Sequence, residues 1–201
     1  MNSIPSPEDL RDLIRLPVQH PLLLVDIGSR ESLRDRVKQG RWKRILEEKL
    51  KYCDEALKMP IQQLPRSLYD DYFRTGRRFP FEMPYDYRRR MTEDLALAYI
   101  LTGSPEYLDR CRDYIWAIIE EFTWVKPAHV ALPLSPEAES QVDLFSSGTA
   151  LLLADLWDLF QNELDPETLK WMRHSILRKV LIPLRDHYNA QRWTTRYESN
   201  W

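Results

Sequence analysis

The sequence predicts an all-α protein built of antiparallel helix hairpins. Apolar residues recur at helical spacing over long stretches, and five glycines in 201 residues leave little material for tight β-turns. A helix-start signal also recurs, at Ser6-Pro7-Glu8, Ser104-Pro105-Glu106, Ser135-Pro136-Glu137 and Asp165-Pro166-Glu167. Each sets a capping oxygen, then a proline whose missing N–H costs nothing in the first turn, then an acid that complements the positive end of the helix dipole.

Residues 1–19 read as a helical N-terminal segment, and residues 20–201 as one domain. His20-Pro21 opens a short apolar segment, Leu22-Leu23-Leu24-Val25, which is either a small strand or an extended wrap against helices. Between residues 40 and 60, Trp42, Ile45, Leu46, Leu50, Cys53 and Leu57 follow one helical face. From 60 to 84 prolines and aromatics break the period, so a looser connection with one short helix around residues 68–73 is expected.

From about Asp86 a pattern emerges. Residues 91–101 are apolar on nearly every face, whereas Tyr107, Leu108, Cys111, Tyr114, Ile115, Ile118 and Phe122 form a single stripe. Residues 142–160 are again apolar almost all round, and Leu169, Met172, Ile176 and Val180 again make one stripe. A buried helix followed by an outer helix, twice, is the sign of stacked hairpins, as in α/α toroids and helical solenoids. The connections at 102–105 and 162–165 are short, while 123–140 and the stretch after Tyr188 are long, so the long ones share one end.

The formal net charge of −2 gives no overall basic field for nucleic acid, and Arg88, Arg89 and Arg90 read as a solvated helix face or helix-end charges. Cys53 and Cys111 lack metal or redox spacing and read as buried thiols. No stretch has the length of a membrane span, and residues 1–15 lack a signal-peptide core. A cytoplasmic protein is expected, or a periplasmic or secreted one if a leader was removed. No phosphate loop, zinc motif or nucleophile elbow occurs, and no cofactor is expected.

The long-connection end would hold Trp124, His129, Gln141 and Asp143 from one segment, and His187, Trp193, Tyr197, Asn200 and Trp201 from the other. Rings beside amides and imidazoles suit a sugar groove, because apolar sugar faces stack on aromatics while hydroxyls need polar partners. Plain loop packing is the alternative for Trp124 and Trp193, and a helix cap for His187. His174 is expected to face solvent. Among carboxylates, Glu139 with Asp143 could form an acid/base pair, whereas Asp155 and Asp158 fall toward the short-loop end.

The order of features carries a resemblance. His20-Pro21-Leu22-Leu23 is followed by the hairpin Ala98-Tyr99-Ile100-Leu101-Thr102-Gly103-Ser104-Pro105-Glu106-Tyr107. Val142-Asp143-Leu144-Phe145, the turn Leu164-Asp165-Pro166-Glu167, and Ser199-Asn200-Trp201 come next. This order resembles the N-terminal α/α-toroid half of heparinase II/III-type polysaccharide lyases.

The resemblance implies an incomplete (α/α) toroid over 20–201, truncated at its C-terminus, with a β-sandwich-rich region to follow. It implies β-elimination in acidic, uronic-acid-containing oligo- or polysaccharides. Asn200 would face the substrate carboxylate, with Trp201, Tyr197 and Trp193 as nearby substrate contacts and Trp124, His129 and Gln141 on the rim. The family's Tyr and His acid/base residues match nothing in this sequence, so an inactive fragment is expected, with apolar helix faces left open to self-association. An α/α-toroid glycoside hydrolase and a non-catalytic helical-repeat binding or scaffold module stay open as alternatives.

Overall fold

The computed structural model describes residues 27–130 and 141–187, together with Pro21. These residues form helices and, among those described, no strand. In chain order they are α1 (Ile27–Val37), α2 (Gly40–Lys58), α3 (Arg66–Thr75), α4 (Phe79–Thr102) and α5 (Pro105–Ile119). A 3-10 turn at Pro127–His129 follows, then α6 (Leu144–Leu159), α7 (Pro166–Ile176), a π-helical turn at Leu177–Leu181 and α8 (Ile182–Asp186). None of the described helices is long and apolar enough to cross a membrane.

Side-chain bonds fix the helix directions. Arg88 of α4 reaches the Ala117 carbonyl of α5, and the Cys111 thiol of α5 donates to the Thr92 carbonyl of α4, so these helices are antiparallel. The tight turn between them needs Gly103, whose φ of 77° is left-handed and whose N–H donates to the Tyr99 carbonyl. A side chain there would also meet the Arg34 guanidinium, 3.1 Å from a Cβ.

Arg89 in the middle of α4 bonds Thr149 in the first half of α6, while Ile100 at the end of α4 shares a groove with Leu156 and Leu159. Helices α4 and α6 therefore run parallel. On the other side Trp116 of α5 donates to Thr168 of α7, and the Ile119 carbonyl accepts from Lys179, so α5 and α7 are parallel too. Lys49 and Cys53 of α2 meet Asp94 of α4, while Tyr107 and Arg110 of α5 meet Asp54 and the Ala56 carbonyl in turn, which sets α2 parallel to α5 and hence antiparallel to α4. The protein is thus a row of inner helices (α4, α6) backed by outer ones (α2, α5, α7).

Leu95, Ala98, Cys111, Ile115, Leu153 and Met172 fill the main core between the rows. Each fully buried aliphatic side chain there stabilises by about 1.5–3 kcal/mol. Tyr69, Phe81, Tyr85, Val125 and Val130 make a second core at the end where the long connections lie. Burial pushes the Cys53 thiol up to about 11 and the Cys111 thiol up to about 12, so both stay protonated, as expected of buried thiols.

The short helix expected at 68–73 is α3, and it ends on left-handed Gly76. Three expectations are corrected. Helix α4 begins at Phe79 rather than about Asp86: Pro80 falls in the first turn and Pro84 one turn later, and buried Phe81 and Tyr85 hold this stretch helical. Helix α6 is not buried all round, since Leu144 and Leu151 are exposed, Leu151 in a groove it shares with Leu97 of α4. Ser104 makes no side-chain cap bond and instead donates to Glu106. Residues 1–19 and Leu22-Leu23-Leu24-Val25 lie outside the described residues.

Asp165 does cap α7, accepting from the Thr168 N–H at 2.9 Å and its hydroxyl at 2.7 Å. The Thr168 side-chain bond, then the backbone bond, hold the Asp165 carboxyl below its ordinary value. Its folded pKa is depressed, so its contribution is present above the unfolded pKa and is lost as pH falls through the folded one. Asp165→Ala is expected to cost about 1 kcal/mol in urea unfolding at neutral pH. That difference should shrink in acid, and a pH-independent difference would refute the capping account.

Candidate functional site

The start of α4, the end of α5, residues 120–130 and the start of α6 converge at one end. Asp143 organises this end. Its Oδ1 accepts from the Ser146 N–H at 2.7 Å while the Asp143 N–H donates to Ser146 Oγ at 2.8 Å, a reciprocal cap on α6. The other oxygen accepts from the Lys126 N–H at 3.2 Å and meets His129 Nδ1 at 2.7 Å. One carboxylate thereby ties the 122–130 segment to the first turn of α6, with the His129 ring tilted on Phe145.

A second network lies beneath it. Glu121 Oε1 accepts from Arg88 at 3.1 Å, and Oε2 from Arg89 at 2.7 Å. Arg88 also donates to the Gln62 and Ala117 carbonyls, and Arg89 to the Tyr85 carbonyl. Buried Lys126 reaches Asp86 at 2.8 Å and lies 3.6 Å above the Phe145 ring centre. The Tyr85 hydroxyl donates to the Trp124 carbonyl at 2.6 Å. Burial raises the Tyr85 and Tyr69 hydroxyls above their ordinary values, so neither phenol is set up as a base.

Arg88 and Arg89 were expected on a solvated face, and that expectation is corrected: both side chains are enclosed, and only Arg90 is exposed. Charges of both signs balance at this end, so these residues stiffen it rather than give it a field.

Two rim expectations are corrected as well. Trp124 is 1% exposed, and its indole N–H donates to the Ile118 carbonyl at 2.8 Å, which makes it a core residue. The His129 side chain is 4% exposed and serves the Asp143 tie. Gln141 is half-buried at the approach to α6. Trp193, Tyr197, Asn200 and Trp201 lie outside the described residues, as does Glu139. His187 is exposed and ends α8, its N–H donating to the Pro183 carbonyl. Among the described residues no group of His, Cys, Asp and Glu has the makings of a metal site.

Sequence reasoning passed over a groove between the outer helices at this same end. Trp171, His174 and Arg178 stand at i, i+3 and i+7, a helical face opposite the buried Met172 and Val180. They form one wall of a cavity of about 270 Å³ whose other wall includes Glu120 and Thr123. That spacing was available in the sequence, and the strong apolar stripe on the same helix masked it. Comparison with protein-family models gives no match, and comparison with curated proteins gives none.

Proposed function

We propose that the chain is the helical, N-terminal part of a polysaccharide lyase acting on uronic-acid-containing chains, its hairpins forming part of an α/α toroid. The supporting observation is helix direction. Inner helices α4 and α6 are parallel, outer helices α2, α5 and α7 are parallel, and the two sets oppose each other. In such a row the long connections meet at one end, and a substrate cleft belongs there. The open flank of the inner pair, where Leu97 and Leu151 line an apolar groove of about 340 Å³, suits a further inner helix.

In β-elimination a base takes the C5 proton, the C4–O bond breaks, a C4–C5 double bond forms and the leaving glycosidic oxygen gains a proton. On this reading the Asn200 amide stabilises charge on the substrate carboxylate as the proton leaves, and Trp193, Tyr197 and Trp201 hold the sugar. The bonds made by Asp143, Glu121 and Lys126 stiffen the end to which this reading assigns the cleft.

The test is ultraviolet detection of unsaturated uronate from alginate, polygalacturonate and heparin, using the protein with its acid/base region attached. Product is expected from at least one polymer, and Asn200→Ala should lower kcat by about 100- to 1,000-fold, as for a lost oxyanion donor. Absence of product from all three polymers, or full activity in Asn200→Ala, would refute the reading.

A further inference from the structure

We infer that the groove between α1, α2 and α4 is a binding site for one free alkyl chain ending in a carboxylate, a fatty acid. Its walls are apolar: Leu33 and Val37 come from α1, Trp42 and Ile45 from α2, and Leu97 and Leu101 from α4. Trp42, Ile45 and Leu97 are 46%, 47% and 43% exposed, so a ligand that covers them gains their burial. At about 330 Å³ the groove falls at the lower end of the usual range of ligand pockets, about 300–1,000 Å³, which suits a single chain.

The three walls are tied together before a ligand arrives. Gly40, at a left-handed φ of 58°, opens α2 with only Lys38 and Gln39 separating it from α1, so the two helices meet at a tight corner. Arg34 of α1 donates to the Ile100 carbonyl of α4 at 2.9 Å, and Lys49 of α2 donates to Asp94 of α4 at 2.8 Å. The Arg41 guanidinium lies 4.7 Å from the Trp42 ring centre and restrains that indole. Little ordering is left for binding to impose.

Charge selects the ligand. Two charged side chains line the groove, Arg36 and Lys49, and Lys49 is answered by Asp94. Arg36 is exposed and has no hydrogen-bond or ion-pair partner among the described residues. The acids nearby are engaged elsewhere: Asp35 with Lys38, Glu47 with Lys43 and Glu48 with Arg44. Glu31 stands five residues before Arg36, off the i+3 and i+4 positions that bring helical side chains together, and Glu93 lines the groove on the other side of α4. One unanswered guanidinium beside an apolar slot matches one carboxylate on an apolar stem, since its fork can give two parallel bonds to the two oxygens. An anionic bilayer is the poorer occupant, because exposed Glu47 and Glu48 follow Ile45 on α2 and would meet its headgroups.

This site goes beyond the lyase reading and does not depend on it. Titrate the full chain with decanoate and, separately, with its neutral isostere decanamide, both below micelle formation, reading heat and the Trp42 indole N–H resonance as assigned with Trp42→Phe. Decanoate should bind and shift that resonance, with decanamide at least about tenfold weaker. Arg36→Glu, an exposed change, should weaken decanoate by at least about tenfold and leave decanamide binding and thermal unfolding at their wild-type values. Ile45→Glu should lose both ligands. Absence of decanoate binding, equal binding of decanamide, or unchanged decanoate affinity in Arg36→Glu would each overturn the inference. So would binding to phosphatidylglycerol vesicles that decanoate does not displace, which assigns the face to a membrane, or self-association abolished by Ile45→Glu, which assigns it to a second copy.

Discussion

Glu121→Gln is expected to destabilise the protein by about 3–5 kcal/mol, because it leaves two enclosed guanidinium groups without their counter-charge. The Glu121 side chain is 2% exposed and bonds Arg88 and Arg89 through different oxygens. Both arginines keep carbonyl acceptors at Gln62, Ala117 and Tyr85, and Arg89 keeps Thr149, so their hydrogen bonds largely survive. What disappears is the carboxylate, and a buried charge stripped of its partner costs far more than the intact pair contributes. Domains of this size are stable by about 5–15 kcal/mol, so the loss would be visible directly in urea unfolding followed by circular dichroism. A loss below about 1 kcal/mol would mean that water reaches the arginines and that this end of the protein is not a rigid platform. The combination of Glu121→Gln with Arg88→Met should recover part of the loss, since it removes one of the stranded charges together with its partner.

That network shows where a sequence stops being legible. The stripes on α2, α5 and α7 can be read because a helix with one wet face must alternate, and Cys53, Cys111, Ile115 and Met172 are buried as their spacing implies. Arg88 and Arg89 defeat the same reasoning. Charge predicts solvent, and only the arrival of Glu121 from 32 residues along the chain makes burial tolerable. The start of α4 fails for a related reason: proline is a local breaker, yet Pro80 and Pro84 sit where the helix loses few bonds while Phe81 and Tyr85 gain a core. Trp124 and His129 were expected on the rim from loop length and ring chemistry, with loop packing as the alternative for Trp124. Their burial depends on Ile118, Asp143 and Phe145, contacts that no spacing rule encodes. Conversely, Leu144 and Leu151 are apolar without being covered, and no rule of spacing marks them as exposed.

Trp124→Ala is expected to cost about 3–5 kcal/mol, the usual loss when a fully enclosed large aromatic becomes a cavity. Three separate interactions converge on this one side chain and its backbone. The indole N–H donates to the Ile118 carbonyl at 2.8 Å, closing the last turn of α5. The ring face lies 5.1 Å from the Lys179 ammonium, and the Trp124 carbonyl accepts from the Tyr85 hydroxyl at 2.6 Å. Trp124→Phe separates packing from hydrogen bonding, because it keeps an aromatic ring and removes the indole donor, while the Ile118 carbonyl keeps the Glu121 N–H. It should cost about 0.5–1.5 kcal/mol, the net worth of one hydrogen bond. Both losses are read in the same urea transitions, and the alanine variant must lie well below the phenylalanine one. If instead Trp124→Ala unfolded at the wild-type midpoint, the ring would not be part of the core, and its place on the rim of a sugar cleft would be restored.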